Sequence, residues 1–314
     1  KKRTNLSIFT KAKVSKIIFV RKKATGVCVQ FEGRKLNIFS KKELILSAGS
    51  IGTPHLLMVS GVGPSKVLRS QEIVIVNALE GVGKNLQDHL QARPVFKCNS
   101  PTLNKEIKNP FKLIKIGLEY LLFRKGPVTL AASLGVGFLK SNSELQRPDI
   151  QFHIQPFSMD KPSISGLHKF NGFTTSVMQL RPESTGTITL KSSRIDDYPM
   201  IQPNYLSAAI DRKTLVEGIK IARKIAMTNP LKNFITDEHA PGKGINIEDD
   251  EAILRWARET AVTIYHPTGT CKMGSDPLSV VDHNLRVHGI ERLRVVDASI
   301  MPEITSGNTN APTI

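Results

Sequence analysis

The stretch that most constrains this chain lies near its end, where the run Leu293-Arg294-Val295-Val296 stops at Asp297-Ala298-Ser299. A short apolar run closed by small and acidic residues reads as a buried strand. The carboxyl ends of such strands are where open α/β sheets hold ligands. Upstream stands a histidine in a Pro/Gly turn, within Tyr265-His266-Pro267-Thr268-Gly269-Thr270-Cys271-Lys272-Met273-Gly274. Downstream, Gly307-Asn308-Thr309-Asn310-Ala311-Pro312-Thr313 reads as a helix start, with Pro312 acceptable in the first turn. A helix beginning there aims free backbone N–H groups and a partial positive charge at whatever lies beyond it. A titratable imidazole, a strand tip and an anion-tolerant helix start together form a candidate reaction site.

Earlier in the chain, Leu44-Ile45-Leu46 is a continuous apolar run suited to a strand buried on both faces of a parallel sheet. The turn Ala48-Gly49-Ser50 follows, then a helix expected from about Thr53 to Ser60 and stopped by Gly61. Small residues in such a turn let the backbone come close to a ligand. Before it, residues 7–46 alternate apolar and polar positions with short turns and read as a β-meander. Pro64 to Ser70 reads as a short helix and Ile73 to Val76 as a strand.

Residues 91 to about 260 change character. Asn109 to Arg124 reads as a helix, and Ile150–Pro156, Gly172–Leu180 and Gly186–Leu190 read as strands. Helices then follow over Asp211–Thr228 and Glu248–Thr260. Strands followed by helices suggest an antiparallel sheet covered by helices. The fold class is therefore α/β together with α+β.

The net charge of +17 invites a polyanion-binding reading, because residues 1–43 hold 13 Lys/Arg against 2 Asp/Glu. These charges are interleaved with strand-like apolar positions, as in Lys13-Val14-Ser15-Lys16-Ile17. The simpler reading is the solvated side of a sheet, and no nucleic-acid-binding motif accompanies it. Three widely separated cysteines, Cys28, Cys98 and Cys271, show neither metal spacing nor a complete disulfide framework. No metal site is expected. No apolar run reaches the length of a membrane span. The sequon Asn5-Leu6-Ser7 is slight evidence for secretion.

The 265–274 and 295–313 stretches resemble the C-terminal signature of the glucose–methanol–choline (GMC) flavoprotein oxidoreductases, particularly the insect glucose-dehydrogenase-like branch. Gly49-Ser50-Ile51-Gly52-Thr53-Pro54-His55-Leu56-Leu57-Met58-Val59-Ser60-Gly61-Val62-Gly63 resembles that family's internal signature. The family's Gly-x-Gly-x-x-Gly turn is not found, and the chain looks like a C-terminal portion of a relative. The resemblance implies a partial FAD-binding, Rossmann-like domain over 1–90 and 261–314, and a substrate-binding domain over 91–260. It implies FAD as cofactor, an alcohol or sugar oxidised at its CH–OH group, and oxygen or a quinone as electron acceptor. By position, His266 corresponds to the catalytic base and Asn308 to the hydrogen-bonding partner of the substrate oxygen. Val14 would contact the adenine. Ala48, Gly49, Asp297, Ala298 and Asn310 would line the flavin.

Each residue also has a plainer role: His266 as a turn histidine, Asn308 as a helix cap, Asp297 as a strand-end turn residue. His55, His89, His283 and His288 read as structural. A chain missing the dinucleotide turn is expected to bind FAD weakly. The alternative to an enzyme is an inactive remnant or a non-catalytic binding domain of the same family.

Overall fold

The structure is a computed structural model that describes residues 3–130, 133–160 and 166–314. Alternation of apolar and polar residues produces a three-stranded antiparallel meander of Lys13–Val20, Lys23–Phe31 and Arg34–Phe39. Its basic positions face solvent, and its third strand is exposed along its whole length. Leu44–Leu46 follows and pairs in parallel with Leu293–Val295, in register Leu44 with Leu293. The expectation that this strand is buried on both faces is not met: Leu46 is buried, but Ile45 is 55% exposed.

The helix after this strand spans Gly49–Val59, four residues longer at its start than the sequence suggested. It is apolar nearly all round, and such helices sit inside a core; Leu56, Leu57, Met58 and Val59 are all buried. Pro54 lies inside it and offers no N–H to the carbonyl of Ser50, four residues back. Thr270 fills that vacancy, its Oγ1 donating to Ser50 O at 2.6 Å. At the far end Gly61, at φ +91°, turns the chain where a Cβ would lie 2.4 Å from the Val74 carbonyl. The expected strand at Ile73–Val76 does not form. Instead Asn77–Ala78 pairs in parallel with Val62–Gly63.

The chain divides into two units. The first comprises residues 1–88, 184–205 and 266–314, and the second 89–183 and 206–265. The sequence placed 184–205 within an unbroken 91–260 region. In the structure Thr187–Thr189 pairs with Met200–Gln202, and Ile188 joins the core of the first unit beside Leu57, Leu293 and Val295. Cys271 is fully buried in that core, which raises its thiol well above the ordinary range and makes it a packing residue.

The second unit is a seven-stranded antiparallel sheet with helices Ala209–Ala226 and Asp250–Thr260 packed together on it. Gly218 lets the first helix approach closely, since a Cβ there would lie 2.6 Å from Val177 Cγ2. Arg223 on this helix is buried and makes a two-pronged pair with Glu238, Nε to Oε1 at 2.7 Å and Nη2 to Oε2 at 2.8 Å. Among the described residues no helix is long and apolar enough to cross a membrane.

Removing one member of a buried ion pair leaves the other charge without compensation. Glu238→Ala is therefore expected to lower unfolding stability by about 3–5 kcal/mol, measured by urea denaturation. A loss within experimental error would show that water already solvates the Arg223 guanidinium.

Candidate functional site

The candidate residues all lie in the first unit. Asp297 follows the strand Leu293–Val295, so its side chain leaves the sheet where the parallel pair ends. Its Oδ2 accepts from Gly49 N at 3.0 Å and from Thr53 Oγ1 at 2.6 Å, while Oδ1 accepts from Ser299 N at 2.8 Å. One carboxylate thus satisfies a leading amide of the Gly49–Val59 helix and caps the 3₁₀ turn Ala298–Ile300. Thr53 Oγ1 also accepts from Ala48 N at 3.1 Å. Ala48, Gly49, Asp297 and Ala298 are therefore drawn to one point from opposite ends of the chain. Gly49 adopts φ +78°, with open space where a side chain would sit.

Beside this point lies a cavity of about 650 Å³ lined mainly by apolar groups, among them Val14, Leu46, Ala48, Ile51 and His55. Val14 and Ala48 meet here although 34 positions separate them. The backbone of the meander is fixed nearby by Ile17 N donating to Ser60 Oγ at 2.9 Å. The cavity also explains the exposure of Ile45, which lines it. His55 was read from sequence as a packing residue, yet its Nε2 is buried without a hydrogen-bond partner among the described residues. Burial first, and the charge of Lys13 second, lower its pKa. A neutral imidazole with an unsatisfied nitrogen on an apolar cavity is the setting of a ligand contact. A histidine inside a helix carries no local mark of that role.

His266 is buried, and its backbone N donates to Asp88 Oδ1 at 2.9 Å. The other carboxylate oxygen of Asp88 accepts from the Tyr205 hydroxyl. Burial lowers the His266 pKa, and the Asp88 carboxylate offsets part of that shift. Beyond His266 the chain runs along the 298–300 turn: Gly269 N, Cys271 N and Met273 N donate to the carbonyls of Ala298, Ser299 and Ile300. Gly269, at φ +87°, permits this course, because a Cβ there would lie 2.4 Å from Asn85 O.

Asn308 is exposed on the loop before the short helix Asn310–Thr313, whose start carries no side-chain cap. The root of this loop is held by two amides that sequence reasoning passed over. Asn85 Nδ2 and Gln87 Nε2 each donate to Pro302 O at 3.1 Å, and Gln87 Oε1 accepts from Ile304 N at 3.0 Å. Gln87 also exchanges backbone hydrogen bonds with Thr268. The segments bearing His266 and Asn308 thus share one support. Both amides follow the turn Gly81-Val82-Gly83.

A second convergence lies in the other unit, where ligand atoms of Asp160, His168 and His239 fall within 4.8 Å of one another. Ligands on tetrahedral zinc stand about 3.4 Å apart. His168 is already stacked on Phe170 and paired with Asp160 at 2.9 Å. Lys97 sits over the Phe170 ring, adding positive charge where a cation would have to bind. The group is joined by a hydrogen bond and ring contacts.

Family comparison matches this chain twice to GMC oxidoreductase models, over residues 1–91 and 182–314. It is 42% identical to an alcohol dehydrogenase [acceptor] of Pseudomonas putida over 318 residues, covering 99% of this chain and 56% of that protein. It is 38% identical to an oxygen-dependent choline dehydrogenase of Pseudomonas syringae pv. tomato over 316 residues, covering 100% of this chain and 55% of the relative. The chain thus spans little more than half the length of these relatives. Among solved structures, a variant of formate oxidase from Aspergillus oryzae superposes with TM-score 0.90 at 26% identity, covering 100% of this chain and 59% of that one. Pyridoxine 4-oxidase from Mesorbium loti does so with TM-score 0.86 at 25% identity, covering 100% and 57%.

Two expectations are corrected. The N-terminal family pattern is not lacking, because residues 1–91 match its model. The insect glucose-dehydrogenase-like branch finds no support, since these relatives are bacterial alcohol and choline dehydrogenases.

His55 and His266 both resist protonation in the folded chain, whereas the unfolded chain protonates them near 6.5. Between that value and their lower folded pKa values the unfolded state holds more protons. Stability then rises with pH and falls as pH drops through the window. His55→Gln should flatten the decline in urea midpoint below about pH 6.5. An unaltered slope would show that His55 does not contribute to it.

Proposed function

The chain belongs to the GMC oxidoreductase family, and from that premise we propose that it serves an FAD-dependent oxidation of the CH–OH group of a small alcohol. The observation that carries this reading is the Asp297 carboxylate, which ties Gly49, Thr53 and Ser299 together beside an apolar cavity lined by Val14 and Ala48. The fit rests on three features of this chain: the size and apolar lining of that cavity, the unsatisfied His55 nitrogen, and open space over Gly49.

When bound, FAD supplies the hydride acceptor. In this reading the first unit holds the cofactor and the second binds substrate. Val14 would hold the adenine end, while Ala48, Gly49, Asp297, Ala298 and Asn310 would border the sugar and ring. His266 takes the hydroxyl proton on its imidazole. Its lowered pKa favours this task, because a base must be unprotonated at working pH. The carboxamide of Asn308 holds the substrate oxygen as negative charge builds there. The helix start at Asn310 places backbone dipoles of favourable sign toward the same side. An alcohol is preferred to a sugar as substrate because the relatives are named as alcohol and choline dehydrogenases. Oxygen or a quinone accepts the electrons and completes turnover.

In the flavin-loaded protein, His266→Ala should slow flavin reduction by about 10²–10⁴-fold, read by stopped-flow absorbance, with little change in substrate affinity. An unchanged reduction rate would remove His266 from the mechanism and favour the non-catalytic alternative.

A further inference from the structure

We propose that the helix Pro110–Phe123 in the second unit is a docking element that lies flat in the interface of an anionic lipid membrane. Surface helices bury one stripe, but this one has no buried residue. Phe111, Ile114, Leu118, Leu121 and Leu122, between 51% and 82% exposed, recur at helical spacing and share one face. The exposure continues past the helix at Val128, Leu130 and Leu134.

The helix is completed by its own ends. Asn109 Oδ1 accepts from Phe111 N at 3.0 Å and from Lys112 N at 3.2 Å, and Arg124 closes it in a left-handed turn at φ +53°. An apolar face preformed in this way is ready for a partner without prior folding.

Charge decides among occupants. Residues 105–125 hold six Lys/Arg and two Glu. Lys108 is committed to the carbonyls of Leu167 and His168, and Lys112 is paired with Glu106 at 3.4 Å. Lys115 lies beside the apolar stripe, and Arg124 and Lys125 follow its end. A second copy would bring these cations face to face. An anionic lipid surface would neutralise them while accepting the Leu and Phe side chains. Fourteen residues make a helix of about 21 Å, short of the roughly 30 Å hydrocarbon core, so it lies in the interface and does not span.

The test is co-sedimentation of the full chain with vesicles of phosphatidylcholine, alone or with about one-third phosphatidylglycerol. We expect binding to the anionic vesicles that weakens about tenfold or more in Leu118→Glu/Leu121→Glu. Both side chains already face water, so the thermal midpoint should hold. If that variant misfolds, Lys115→Glu/Lys125→Glu serves instead, and it should lose the preference for anionic over neutral vesicles. The proposal is overturned if neither vesicle is bound, or if a correctly folded variant binds as the parent does. It is likewise overturned if light scattering shows a dimer that the Leu118→Glu/Leu121→Glu change dissolves, while vesicles are ignored.

Discussion

A single carboxylate organises the first unit. Asp297 stands at the end of a strand paired with Leu44–Leu46, and its two oxygens accept from Gly49, Thr53 and Ser299. Those donors lie on the two turns that follow the paired strands, and this carboxylate is the acceptor for the Gly49 and Ser299 amides and the Thr53 hydroxyl. A buried donor without an acceptor costs about 1–3 kcal/mol, so the carboxylate and both turns hold one another in place. The parallel pair fixes where Asp297 emerges, and Asp297 in turn fixes where the Gly49–Val59 helix begins.

From this junction the rest of the candidate site can be followed bond by bond. Pro54 removes one helical N–H, and Thr270 supplies a hydroxyl to the carbonyl left behind. That contact fastens the segment carrying His266 to the helix lining the cavity. Asp88 holds the His266 amide, and Asn85 with Gln87 holds the root of the loop carrying Asn308. The second unit depends on a different balance, with apolar packing between two helices and a sheet and one buried Arg223–Glu238 pair. Rigid support of the His266 backbone is what the proposed proton transfer in a fixed geometry requires.

Much of this was legible in the residue order. Alternation placed the meander, the readings over Asn109–Arg124 and Glu248–Thr260 placed two helices, and the apolar run at Leu44–Leu46 foretold a parallel partner. What local pattern could not carry was long-range pairing. Gly186–Leu190 reads as a strand wherever it goes; only the hydrogen bonds of Gly186 to Leu86 and the packing of Ile188 assign it to the first unit. The burial of Leu44–Leu46 was overstated because its neighbour on one side is a cavity, which a sequence does not display. His55 was read as structural for the same reason. Asn85 and Gln87 did too, because amides that brace a distant loop look like ordinary turn residues.

The central claim is that His266 and Asn308 act on one substrate oxygen. A double-mutant cycle on flavin reduction, comparing His266→Ala, Asn308→Ala and the pair in the flavin-loaded protein, tests it most directly. The account predicts strong coupling, with the double variant little slower than the worse single one and a coupling energy of about 1–3 kcal/mol. Additive losses would place the two side chains at separate tasks and contradict it.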